Sequence, residues 1–174
     1  MKRAIALALL GVMVGCASTP STPASAQLPT GPAAVQLITM DGKSFSLSAL
    51  RGEAALITVI QTWADYAMVE IPLLNQVAER YGDRVTVLCI ALDEQPEMVR
   101  IFIDTFKPAY EVVRIGAADR QRFTTERGPF GPITLIPTSV LLDADGQVAA
   151  RMDGTWRPDV LRDALQALVG PPSQ

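Results

Sequence analysis

Cys16 and Cys89 are the only thiols in the chain, and no histidine accompanies them. Without histidine a protein lacks the commonest general base and the commonest transition-metal ligand. A Ser-His-Asp hydrolase, a Cys-His protease and a His-ligated zinc or copper site are therefore excluded. Two cysteines cannot build a thiolate-rich metal site or an internal disulfide framework either. No cofactor or metal is expected. What remains is the chemistry of single thiols, and of carboxyl and aromatic groups placed at the ends of elements.

Each cysteine sits in a context that suggests its use. Cys16 follows Met1-Lys2-Arg3, an apolar stretch over residues 4–14, and Gly15. As a helix that stretch would rise about 16 Å, short of a hydrocarbon core of about 30 Å, so it suits a signal-peptide core. Small residues ending in cysteine resemble the lipobox, in which the thiol takes a diacylglycerol before cleavage leaves that cysteine first. Met13 stands where leucine is usual. The alternative is a plain secretory signal cut after Ala24-Ser25-Ala26, which also satisfies the small-residue rule. The expectation is a signal peptide over 1–15, lipidation at Cys16, and a membrane as partner through that anchor. Ala17 after the cysteine, in place of Asp, points to the periplasmic face of the outer membrane by the usual bacterial sorting pattern. Residues 16–34, rich in Ser, Thr, Pro and Ala, read as a tether.

Cys89 lies in Val85-Thr86-Val87-Leu88-Cys89-Ile90-Ala91, a run expected to be a buried strand. There a free cysteine behaves as a small inert hydrophobe. Were it exposed and acidic, a single-cysteine peroxidase would be open. The whole chain, 49% apolar and 19% charged over 174 residues, can bury one core. Its net charge of −3 and the lack of a basic cluster beyond the start leave no footprint for nucleic acid.

The elements that position these residues follow from periodicity. Asp41-Gly42 is a hairpin turn pair between short apolar segments at 35–38 and 44–47. Residues 48–52 read as one helical turn closed by Gly52. Continuous apolar runs at 54–61 and 85–92 suit strands buried on both faces. Between them the spacing predicts a helix over 68–81, its stripe Val69, Ile71, Leu73, Leu74 and Val77, closed by Gly82. An amphipathic helix over 96–106 turns Met98, Val99, Phe102 and Ile103 inward, with Pro96 in its first turn. A strand over 110–115 and a short polar helix over 118–126 come next. A hairpin of 138–142 and 147–152 surrounds Asp143-Ala144-Asp145-Gly146, and a helix over 158–169, led by Val160, Leu161, Leu165 and Leu168, closes the domain. The order describes an α/β sandwich with a central mixed β-sheet flanked by helices. The domain is set at 35–170, with a tail over 171–174.

Several of these segments together resemble the TlpA/ResA branch of the thioredoxin-like superfamily over roughly 35–169. The lead-in from Met40-Asp41-Gly42-Lys43 to Leu50-Arg51-Gly52 is similar to the family's opening, an N-terminal β-hairpin extension. Thr62-Trp63 ends the central strand as the family's tryptophan does before its Cys-x-x-Cys. Glu70-Ile71-Pro72, Leu92-Asp93-Glu94 and Ile136-Pro137-Thr138-Ser139 follow in the family's order. The resemblance implies a thioredoxin-like fold, a cis bond before Pro137, and cysteines at positions 64 and 67. This chain carries Ala64 and Ala67 there.

In the active family the first thiolate attacks a substrate disulfide and the second cysteine resolves the mixed disulfide. Alanine offers neither group, so no catalytic residue is expected. Asp65 suits the positive end of a helix, stabilised by roughly 0.3–1 kcal/mol. Glu70, an acid near the cysteines in the family, has no thiol to serve here and is expected at the surface or as a packing relic, with ligand anchoring the lesser alternative. Pro72 is expected to kink its helix. Trp63, Asp65, Tyr66, Glu70, Ile136 and Pro137 form the candidate groove for an extended peptide; Trp63 as a cover on the core edge stands equally. The stretch 128–132 either walls this groove or is a rigid loop. The functional readings are a non-catalytic, envelope-tethered module for a protein or peptide, a spacer in an envelope assembly, or, by resemblance, a thiol–disulfide oxidoreductase or peroxidase-type redoxin.

Overall fold

The computed structural model describes residues 35–172. The expected signal segment at 1–15, Cys16 and the tether to residue 34 lie outside the described residues, as do 173–174. The chain opens with β1 (Leu37–Ile38), β2 (Ser44–Phe45) and a 3-10 turn (Leu47–Leu50). It continues through β3 (Ala54–Ile60), α1 (Asp65–Tyr81), β4 (Val85–Ala91) and α2 (Pro96–Phe106). Then follow β5 (Glu111–Ile115), α3 (Arg120–Phe123), β6 (Thr138–Leu142), β7 (Val148–Asp153) and α4 (Pro158–Val169).

The strands form one sheet in the order β2-β1-β5-β4-β3-β6-β7. β3, β4 and β5 pair in parallel, while the outer neighbours are antiparallel. Parallel neighbours need a crossover, which α1 and α2 supply on one face, while the 3-10 turn, α3 and the loop around Phe130 cover the other. That is why every residue of β3 is buried. Its side chains divide by the two-residue period of a strand. Ala55, Ile57 and Val59 join Leu88, Ile90, Phe123 and Phe130 on one face. Ala54 and Leu56 meet α1 and α4 through Leu74, Val77, Leu161 and Leu165 on the other. On that same side Ile60, Cys89 and Ala91 pack under Ala67, Ile71, Val99 and Phe102 of α1 and α2. Each fully buried Leu or Ile contributes about 1.5–3 kcal/mol.

The α/β sandwich with a mixed sheet is the architecture expected, and the bounds of α2 and α4 match the periodicity. The helix expected over 68–81 starts at Asp65 instead. Its inward face is Ala67, Glu70, Ile71, Leu74, Val77 and Tyr81, so the stripe is rotated from the one expected. Val69, placed in the stripe by its apolarity, is 65% exposed, and Val160 of α4 also faces out. Gly82 keeps a right-handed φ of −49°; it is glycine because a Cβ there would lie 2.7 Å from the Ala78 carbonyl oxygen. The polar helix expected over 118–126 shrinks to α3. The rest of that stretch is turn, tied by Gly128 N–H to Thr125 O at 2.8 Å. α1 runs unbroken through Pro72, whose ring is exposed. Among the described residues no helix is long and apolar enough to cross a membrane.

Candidate functional site

The parallel register of β3 and β4 sets the site at the carboxyl ends of the two strands. Ile60 pairs with Ala91, and Leu92 N–H donates to Ile60 O at 2.9 Å. Residues 61–63 and 92–94 therefore leave the sheet side by side. Asp93, 5% exposed, ties the two exits together. Its Oδ2 accepts Thr62 N–H at 3.0 Å and its Oδ1 accepts the Thr62 hydroxyl at 2.8 Å. A buried carboxylate so bonded fixes the Thr62 backbone, and with it the direction in which Trp63 departs.

Trp63 departs into solvent, at 63% exposure. Its ring walls an open cleft with Gln61, Leu92, Asp93, Glu94, Met98 and Arg120. Arg120 of α3 closes the far side through an ion pair with Glu94. Trp63 thus stands at the rim of an open cleft rather than over the core.

α1 begins immediately after Trp63. Ala64 occupies the N-cap position with φ −89° and ψ 140° and gives no side-chain cap. Ser, Thr or Asp there would stabilise the helix by about 1 kcal/mol over Ala. Ala64 and Ala67 are 5% and 1% exposed, so both methyl groups of the first turn are buried. Asp65 is exposed in the first turn, as expected, and Tyr66 is half-buried beside it.

The Pro137 segment reaches the same end of the sheet. Thr138 pairs with Val59 of β3, which sets Pro137 alongside Ile60. The Ile136–Pro137 peptide bond is cis. Pro137 itself is buried and Ile136 is half-buried against the core, so these side chains do not line the cleft that Trp63 walls. What this segment exposes is Leu135, at 51%. Arg151 of β7 braces the preceding loop, donating to the carbonyl oxygens of Phe130 and, at 2.7 Å, Pro132. The stretch 128–132 is thereby a pinned loop, with Phe130 edge-on to Phe123 at 5.8 Å between centroids.

Glu70 departs furthest from expectation. It is 1% exposed, facing the core one turn after Ala67, because the helix face turned inward runs through positions 67, 70, 71 and 74. Burial raises its carboxyl from the usual 4.5 to about 7, against the lowering effect of the Trp156 N–H bonded to it. Cys89 is wholly buried, as expected, and burial pushes its thiol far above the ordinary range, with Asp93 and Glu70 adding to the effect. A thiol so placed is no nucleophile at neutral pH. Among the described residues no group of three or more acids or cysteines is placed to hold a metal ion.

Arg120 and Trp156 are the residues that sequence reasoning passed over, while Asp93 entered only within the Leu92-Asp93-Glu94 segment, without a role. Asp93 was legible in part, since both it and Thr62 follow runs read as buried strands. Arg120 and Trp156 come from loops far along the chain and had no such signal.

A seven-stranded mixed sheet, a helix starting at the end of the central strand and a cis-proline segment beside it define a thioredoxin-like protein. No protein-family model matches the chain. It is 25% identical over 130 residues to the thiol-disulfide oxidoreductase ResA of Bacillus cereus, covering 74% of this chain and 71% of that one. Among solved structures it is similar to a thiol:disulfide interchange protein of the thioredoxin family from Chlorobium tepidum. That likeness has TM-score 0.68 and 27% identity over 86% of this chain and 100% of the other. The thioredoxin domain of a thiol-disulfide oxidoreductase from Bacteroides vulgatus superposes with TM-score 0.71 at 21% identity, over 85% of this chain and 99% of that one. The chain has a thioredoxin-like fold and is similar in sequence to the ResA-type thiol-disulfide oxidoreductases.

Proposed function

We propose that this protein is a thioredoxin-like module, anchored in the cell envelope by a lipid on Cys16, that binds a protein or peptide at the start of α1 and does not exchange disulfides. The observation that carries this reading is a tryptophan 63% exposed at a helix start whose flanking positions are Ala64 and Ala67. An aromatic side chain of this size left in water beside a cleft is more often a contact surface than an accident of packing. Binding at this face needs no thiol. Backbone groups of the 135–137 segment offer strand-like hydrogen bonds, and Trp63, Tyr66 and Leu135 offer apolar contact.

The relatives favour a second reading, thiol–disulfide exchange, at the level of the family. That chemistry needs a thiolate at the helix start and a second thiol to resolve it. Cys89, the one cysteine among the described residues, is enclosed by the sheet. Two measurements separate the readings. In an insulin-reduction assay the full chain is expected to run at the background rate, and turnover above background would overturn the proposal. A photo-crosslinking residue at Tyr66, in the tethered protein in its own envelope, is expected to capture one reproducible partner. That capture is expected to fall about tenfold with Trp63→Ala and to vanish when the probe moves to Arg162. Equal capture from both positions, or capture indifferent to Trp63→Ala, would remove the binding face.

A further inference from the structure

Glu70 is held by a turn rather than by a neighbouring side chain. Its Oε1 accepts the backbone N–H of Trp156 at 3.3 Å, and its Oε2 has no hydrogen-bond partner. Trp156 is buried at 6% exposure, and its indole Nε1–H is also without a partner. Unmet hydrogen-bonding groups at such burial are rare in native proteins, and each asks for an explanation. Here one acceptor and one donor are unmet on two residues already bonded to each other.

The turn carrying Trp156 reaches the candidate face on its other side. Gly154 N–H donates to the Pro137 carbonyl oxygen at 2.7 Å, directly after the cis bond. Gly154 has φ +100°, a conformation open chiefly to glycine, which lets this short turn bond in both directions. A chain of contacts therefore runs from Glu70 through residues 156 and 154 to Pro137.

We propose that Glu70 is the positioning residue of the binding face: its carboxyl group holds the 154–156 turn and, through it, the 135–137 segment, so that loss of its proton resets that segment. In the neutral acid Oε2 carries the proton, and Trp156 supplies only its backbone N–H. On ionisation the proton passes to water and Oε2 becomes an anionic acceptor inside the core. The Trp156 backbone N–H, already bonded to Oε1 at 3.3 Å, then becomes a charge-assisted donor and draws closer. Seating that bond shifts Trp156, and Gly154 carries the displacement to Pro137. The titratable neighbours in electrostatic reach are Cys89 of β4 and Tyr110 ahead of β5, with Asp93 acting on Cys89 in turn. Arg157, next to Trp156, is exposed and pairs with Asp159. Asp65, on the same helix, stands in solvent. No cation among these groups offsets the buried charge, and desolvation places the titration near neutrality.

The consequence for function rests on the binding reading above, whereas the positioning is testable without any partner. In the full chain carrying Trp63→Phe, Trp156 is the sole indole. Its Nε1–H signal and the backbone amides of Gly154 and Ile136 are followed by NMR as pH is taken through 7. All three are expected to shift together, with the midpoint of the Glu70 carboxyl carbon, and to lose that titration in Glu70→Gln. A shift of Trp156 with Gly154 and Ile136 unmoved would overturn the coupling, as would an unchanged titration in Glu70→Gln. Should that variant fail to fold, different midpoints for the Glu70 carboxyl and the Gly154 amide in the parent chain overturn it equally. Loss of capture from Tyr66 with these titrations intact would count against the binding reading alone.

Discussion

Glu70 also bears on stability. The unfolded chain releases this proton near 4.5, while the folded protein keeps it to about 7. Between those values the native state binds more protons, so stability falls as pH rises through that window and stays low above it. Each unit of separation corresponds to 1.36 kcal/mol, so the loss across the window is on the order of 3 kcal/mol. Glu70→Gln keeps an acceptor for Trp156 N–H and cannot ionise. Its urea-unfolding free energy is expected to exceed that of the parent above pH 7 by roughly 1–2 kcal/mol and to lose the slope with pH. A parent protein whose stability rises from pH 5 to pH 7 would reverse the sign and refute the burial effect. The residue scale is where sequence reasoning was least secure. Ala64, Ala67 and Cys89 were legible, since a missing thiol and a strand-interior thiol are properties of the letters themselves. Glu70 was not, because a glutamate amid apolar residues gives no sign of which way its helix is turned.

Among the elements, the loop between α3 and β6 is the most tightly built for its lack of regular structure. Gly128 sits against the backbone: a Cβ there would fall 2.0 Å from the Phe123 carbonyl oxygen and 2.8 Å from its carbon. No side-chain rotation relieves a backbone clash. Gly128→Ala is therefore expected to cost about 1–3 kcal/mol and lower the melting temperature by several degrees. Gly116→Ala is the control, since its nearest neighbours begin at 3.5 Å and the change should be close to neutral. Equal melting temperatures for the two variants would mean the loop yields freely. Element types were readable wherever period and length agreed, as in β3, β4, α2 and α4. α1 begins before its apolar pattern does, because Ala64 and Asp65 leave a strand end that Asp93 holds in place. The 118–126 stretch lost most of its expected helix to turns that no local pattern announced.

On the scale of the whole molecule, the sheet was expected as mixed, but its order depends on pairings between distant segments. The far edge is a consequence of that order. β1 and β2 are two residues each, and β1 has no sheet neighbour beyond β2 except β5, with Leu37 opposite Ile115. An isolated two-stranded hairpin is marginal in water. In native-state hydrogen exchange the β1 and β2 amides are expected to exchange about tenfold or more faster than those of β3 and β4. Protection equal to the central strands would show the edge to be part of the same cooperative unit. During synthesis, which runs from the N-terminus, this hairpin emerges before the other described strands and must wait for β5. Its docking strand is made only after β3, β4 and both crossover helices have left the ribosome. Closing so long a loop is entropically slow. The earliest of the described strands thus cannot dock until β5 follows them, so this edge of the sheet forms later than its place in the chain suggests.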